Sequence, residues 1–120
     1  MTYQRGDMLM LYFPIEGKYR QGMTYHPGIV VSGADVYEAE GFFYAVMMST
    51  KSHNLQYSFK LTKDMVSLPN DRYPSFVKCH LLNMFDERDV DKRIGQLKEP
   101  YLSQLIERVK QVLFDGEKDE

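Results

Sequence analysis

A chain of 120 residues, 43% hydrophobic and 27% charged, has the size of one domain and a composition suited to a single buried core. No run approaches the roughly 18 apolar residues of a membrane span, and a formal charge of −2 argues against non-specific nucleic-acid binding by the whole surface. The one cysteine, Cys79, cannot form an intrachain disulfide, and with three scattered histidines it offers no zinc-ligand spacing, so neither metal nor cofactor is expected.

The opening "MTYQRGDMLML" sets an acid before a short apolar run and carries no small-residue cleavage site, a poor fit to a signal peptide; a cytoplasmic location is expected. Asp7 to Phe13, nearly all apolar and stopped by Pro14, has the length of a strand buried on both faces. Glu16 to Tyr25, with Gly17 and Gly22, lacks periodicity and reads as a loop. Pro27 to Val31 is a short β-branched strand closed by Ser32-Gly33, where a leading proline forfeits no ladder bond. Phe42 to Thr50 is a longer strand that turns polar at its end, and "KSHN" follows as a turn. Tyr57, Phe59 and Leu61 alternate with Ser58, Lys60 and Thr62, the pattern of a half-buried strand. After the loop "PNDRYP", Ser75 to Leu82 forms a fifth strand. Leu102, Leu105, Ile106, Val109, Val112 and Leu113 recur at three- and four-residue spacing and predict an amphipathic helix, with Pro100 in its first turn and Gly116 at its stop. Five strands and one terminal helix predict a mainly β fold, a compact barrel over residues 1–116 with a charged tail at 117–120.

Charge is segregated along the chain. No Asp or Glu occurs from Gly41 through Lys63, where Lys51, Lys60, Lys63 and His53 lie, nor from Gly17 through Ala34, which holds Lys18 and Arg20. A basic face on a slightly acidic protein is one reading; uneven spacing is the other. On the strand "SFVKCHLL", period two places Val77, Cys79 and Leu81 on one face and Phe76, Lys78 and His80 on the other. Cys79 then reads as a small core residue rather than a nucleophile. Lys78 and His80, about 7 Å apart, form either a phosphate-binding pair or a solvated strand face. Ser49, Thr50, Lys51 and Ser52 make a hydroxyl-rich strand end that suits a turn as well as a site. His26, held extended by the proline after it, has a defined direction at the mouth of a strand, as a general acid or base requires.

In this order, "YQRGDMLMLYF", a glycine-bearing loop, "HPGIVVS", "YAVMMST", "SFVKCHLLNMF", "RIGQL" and an amphipathic C-terminal helix resemble the MazF/PemK (Kid-like) toxins of type II toxin–antitoxin systems. The likeness rests on Arg5, Gly6 and Asp7 at the first strand, Pro27 to Ser32, and Ile94, Gly95 and Leu97 before the last helix. It covers nearly the whole chain. It implies a small SH3-like β-barrel of PemK/CcdB type, a homodimer, and a metal-independent endoribonuclease that cleaves single-stranded mRNA and inhibits growth. A cognate antitoxin protein would block the RNA groove, and operator DNA would be met through the antitoxin complex.

The implied chemistry is attack of a ribose 2′-hydroxyl on its own phosphate, which needs a base, an acid and a donor to the developing phosphorane charge. His26 falls where many members carry the arginine of an Arg-Pro pair, and Ser49, beside Thr50, falls on the family's usual strand-end threonine. The family's Arg-Cys-Asp pattern aligns with Lys78, Cys79 and His80, and its first-loop glutamate with Arg20. The resemblance thus assigns acid–base work to His26 and His80, phosphate neutralisation to Lys78 and Arg20, and a hydrogen bond to Ser49 or Thr50. Lys18, Lys51 and His53 would extend the RNA-binding face. Two other readings share the barrel: a catalytically inactive nucleic-acid-binding or regulatory module whose Tyr19, Tyr25 and Tyr57 stack bases, and, on fold analogy alone, a CcdB-like poison of a protein target.

Overall fold

The computed structural model describes residues 2–12, 25–51, 55–67 and 73–115. Its strands are β1 (Asp7–Leu11), β2 (His26–Val30), β3 (Phe42–Ser49), β4 (Ser58–Leu61), β5 (Val66–Ser67), β6 (Ser75–Asp86) and β7 (Val90–Leu97). Helix α1 (Ala34–Glu40) joins β2 to β3, and α2 (Tyr101–Lys110) follows β7. The strands form one sheet in the order β4-β6-β3-β2-β1-β7-β5, with every neighbouring pair antiparallel, curled into a half-barrel. The expected mainly β barrel with a C-terminal helix is the fold observed. The loop after Pro14, the turn at 52–54 and the tail lie outside the described residues, and with them Lys18, Tyr19, Arg20 and His53. Among the described residues no helix is long and apolar enough to cross a membrane.

Each face of the sheet carries a core, which is why the first apolar run needed no polar alternation. Met8, Ile29, Val46, Met48, Val77 and Cys79 pack with Leu105 and Val109 of α2. On the opposite face Leu9, Leu11, Val30, Phe43, Ala45 and Phe85 pack with Tyr3. Tyr37 of α1 covers this second core, its ring edge-on to Tyr3 at 4.9 Å.

The Arg-Gly-Asp start locks the sheet to its neighbours. Arg5 Nε donates to the carbonyl of Val31 at 2.8 Å. Gly6 holds φ 97°, a left-handed backbone that favours glycine, and a Cβ there would stand 3.0 Å from Cδ2 of Leu102 in α2. Asp7 is fully buried and meets Arg93 of β7 in an ion pair at 3.1 Å.

Strand β6 departs from simple alternation. Val46 of β3 pairs with Leu82 but the next residue, Met47, pairs with Lys78, leaving three residues of β6 without a β3 partner. Such a bulge changes which parity faces which side. Val77 and Cys79 belong to the core under α2, and after the bulge it is Leu82, not the expected Leu81, that packs there.

Three elements were not anticipated. Helix α1 has seven residues and buries none of them, so its apolar signal is weak; Gly41, left-handed at φ 80°, closes it. Strand β5 has only two residues. Strand β7 carries exposed Asp91, Lys92 and Arg93 and two register shifts against β1, which hide its period.

Candidate active site

Strands β2 and β3 set the first part of the site. Gly28 lies opposite Met47, so the same register carried on places His26 level with Ser49, where β2 begins and β3 ends. On the other side of β3, Ser49 lies opposite Phe76, which brings the start of β6 to the same end of the sheet. Here a cleft of about 150 Å³ opens, lined by His26, Pro27, Ser49, Thr50, Tyr73 and Ser75, with Met48 and Ile94 as its apolar part. It is smaller than the roughly 300 Å³ where ligand pockets begin, room for a small group rather than a large ligand.

Three of the residues singled out in the sequence therefore share one cleft: His26, Ser49 and Thr50. Ser49 Oγ also accepts from the Lys51 amide at 3.0 Å, the turn chemistry its position suggested, and its hydroxyl proton remains available for a second bond. Lys51 is exposed immediately beyond Thr50. Sequence reasoning missed Tyr73 and Ser75. Burial raises the Tyr73 phenol above its ordinary pKa, so it is a neutral donor. Their signal would have been Ser75 itself, a polar residue opening an apolar strand just as Ser49 closes one.

Lys78 and His80 sit elsewhere. Neither lines the cleft, and along β6 they stand three and five residues from Ser75, roughly 10 Å and at most roughly 17 Å away. Lys78 lies opposite Met47 and Ser58 and keeps only 6% of its surface, and that burial lowers its pKa. The His80 ring packs against Tyr57 with centroids 5.0 Å apart. Its Nδ1 is buried with no hydrogen-bond partner among the described residues. Burial first, then the positive charge of Lys78, hold His80 below the ordinary imidazole range. Cys79, wholly buried, has its thiol pushed up to about 11 by that burial. Among the described residues no three His, Cys, Asp or Glu side chains stand together to hold a metal ion.

Comparison with known proteins gives the fold a context. The sequence model of the family described as PemK-like, MazF-like toxin of type II toxin–antitoxin system matches residues 4–113. Among solved structures, the chain is similar to MazF from Deinococcus radiodurans (TM-score 0.73, 14% identity), over 94% of this chain and 97% of that one. It is also similar to the MazE–MazF complex from the same organism (TM-score 0.71, 14% identity), again over 94% and 97%. An endoribonuclease from a mycobacterial species matches with TM-score 0.67 at 12% identity, over 93% of this chain and 90% of that one. No curated protein sequence matches the chain.

Proposed function

Because this chain belongs to the PemK-like, MazF-like toxin family of type II toxin–antitoxin systems, we propose that it is a toxin of that kind and a metal-independent endoribonuclease acting on single-stranded mRNA. The observation that carries the reading is the meeting of His26, Ser49 and Thr50 in one small cleft.

A phosphodiester seated there would have its ribose 2′-hydroxyl deprotonated by His26. The O2′ then attacks phosphorus, the bond to O5′ breaks, and a general acid protonates O5′ as it leaves. The products are a 2′,3′-cyclic phosphate and a 5′-hydroxyl end, so no water or outside reactant is consumed. Ser49 and Thr50 donate to the non-bridging oxygens as charge develops on them. Lys51, exposed just beyond Thr50, offsets the phosphate charge, and the family resemblance would add Arg20 and Lys18 to it. The general acid must reach O5′ on the same phosphorus, which His80, outside the cleft on β6, does not; Tyr73, a neutral phenol on the cleft wall, is the candidate instead. A second reading, an inactive RNA-binding module, draws support from the same separation of His80 from His26.

Incubating the protein with long single-stranded RNA in chelator tests both. His26→Ala should lower the cleavage rate on the order of 10²-fold or more, the range of a positioned acid or base, with RNA affinity changed far less. Tyr73→Phe should also lower the rate if it is the acid, and His80→Ala, outside the cleft, should leave it near the parent's. Unchanged cleavage in His26→Ala removes that residue from the mechanism, and binding without cleavage in the parent leaves the module. The reading includes an antitoxin partner, operator DNA met through it, a cytoplasmic location and a homodimer. A solution mass equal to one 14.1 kDa chain at micromolar concentration would contradict the dimer.

A further inference from the structure

Beside the cleft stands a pair of rings that the reaction does not use. Leu11 lies opposite His26, the last pair of β1 with β2, and Tyr12 and Tyr25 are the residues just beyond it on either chain segment. Their rings stack, centroids 5.0 Å apart and planes 29° apart. Tyr12 therefore backs one face of Tyr25, yet Tyr25 still exposes 40% of its surface. It directly precedes His26, the cleft residue at which β2 begins.

We propose that Tyr25, held by Tyr12, is a stacking platform for the nucleobase next to the phosphodiester in the His26 cleft. The inference rests on the ribonuclease reading and adds a base subsite to it. Every nucleobase presents a π face, and an aromatic ring beside a basic groove is how single strands are held without reading their sequence. A ring fixed by a neighbour loses little freedom when a base covers it, so its contact area converts to affinity efficiently. Burial first, then the adjacent Tyr25, hold the Tyr12 phenol above its ordinary pKa, so that ring carries no charge against a phosphate. Nor do its surroundings in sequence, where Gly17 through Ala34 hold no acid. The other aromatic contact of this kind, Tyr57 with His80, is tilted by 47° and lies away from the cleft.

The test uses the full chain and a fluorescent single-stranded oligomer of about twelve nucleotides, 2′-O-methylated so that it cannot be cut. Tyr25→Ala should weaken binding about 5- to 150-fold, the range for loss of one stacked base. Tyr25→Phe should stay within about threefold of the parent, because the ring does the stacking. The salt dependence should keep its slope, as no phosphate contact is lost. The chain has no tryptophan, so Tyr25→Trp adds a single indole; its emission should be quenched by the RNA and not by an abasic sugar-phosphate oligomer of the same length. Parent-like binding by Tyr25→Ala, equal loss in Tyr25→Phe, or equal quenching by the abasic oligomer overturns the platform and leaves the ribonuclease reading standing. No RNA binding by the parent in low salt overturns both.

Discussion

Arg93 grips Asp7 with both arms of its guanidinium: Nη1 donates to Oδ1 at 3.2 Å and Nη2 lies 3.1 Å from Oδ2. The carboxylate is fully buried and the arginine side chain 44% exposed. Two more donors complete the shell, the Gln4 amide at 2.9 Å and Gln96 Nε2 at 3.3 Å. The pair ties the first strand of the chain to the last.

The uneven exposure predicts an uneven response. Arg93→Met leaves a buried carboxylate with only Gln4 and Gln96, and should cost about 3 kcal/mol. Asp7→Asn leaves an arginine that can turn to water, and should cost about 1–2 kcal/mol. Urea midpoints at constant m-value measure both. If Asp7→Asn proved the more damaging, the fork would not be what holds β1 to β7.

His80 provides a test of electrostatics inside the sheet. Its imidazole is held below the ordinary range by burial and, secondarily, by the charge of Lys78. Lys78→Met removes only the second cause. The His80 ring resonances, followed by NMR against pH, should then titrate higher than in the parent while staying below an ordinary histidine. No movement, or a downward one, would show that Lys78 does not act on this ring.

The Cys79 thiol, pushed up to about 11, is protonated at pH 8, and thiolate is the reactive form. A disulfide reagent should therefore leave it untouched in the native protein at pH 8 and react stoichiometrically once urea unfolds the chain. Rapid native labelling would contradict the burial and place the thiol at a surface.

The sequence made the long elements legible because burial writes a pattern. A run apolar on every residue, as at Met8 to Leu11, matched a strand with a core on each side. The stripe from Leu102 to Val109 matched the helix that covers one of them. What escaped had little burial to report: α1 buries no residue fully and lays only half-buried Tyr37 on a core, and the exposed Asp91, Lys92 and Arg93 interrupt β7.

The site was half legible for a related reason. A histidine before proline and a hydroxyl at a strand end are local features, and both line the cleft. Spacing along one strand, by contrast, gives the face of Lys78 and His80 but not their distance from another strand's end. Tyr73 reaches the cleft only because Ser49 pairs with Phe76, a register that local pattern does not state.

Gly95 sits where β5 meets β7, and a Cβ there would stand 2.6 Å from the Ser67 carbonyl oxygen. That oxygen belongs to a two-residue strand that, among the described residues, pairs with Gln96 and Leu97 alone. Any side chain at 95 would push this short cover off. The rim of β7 would then offer its bare ladder to other molecules, guarded only by the charges of Asp91, Lys92 and Arg93. The missing methyl group at Gly95 is thus a matter of colloidal behaviour as much as of folding: it keeps β5 seated, and so withholds the Gln96–Leu97 stretch of the rim from edge-to-edge addition in concentrated solution.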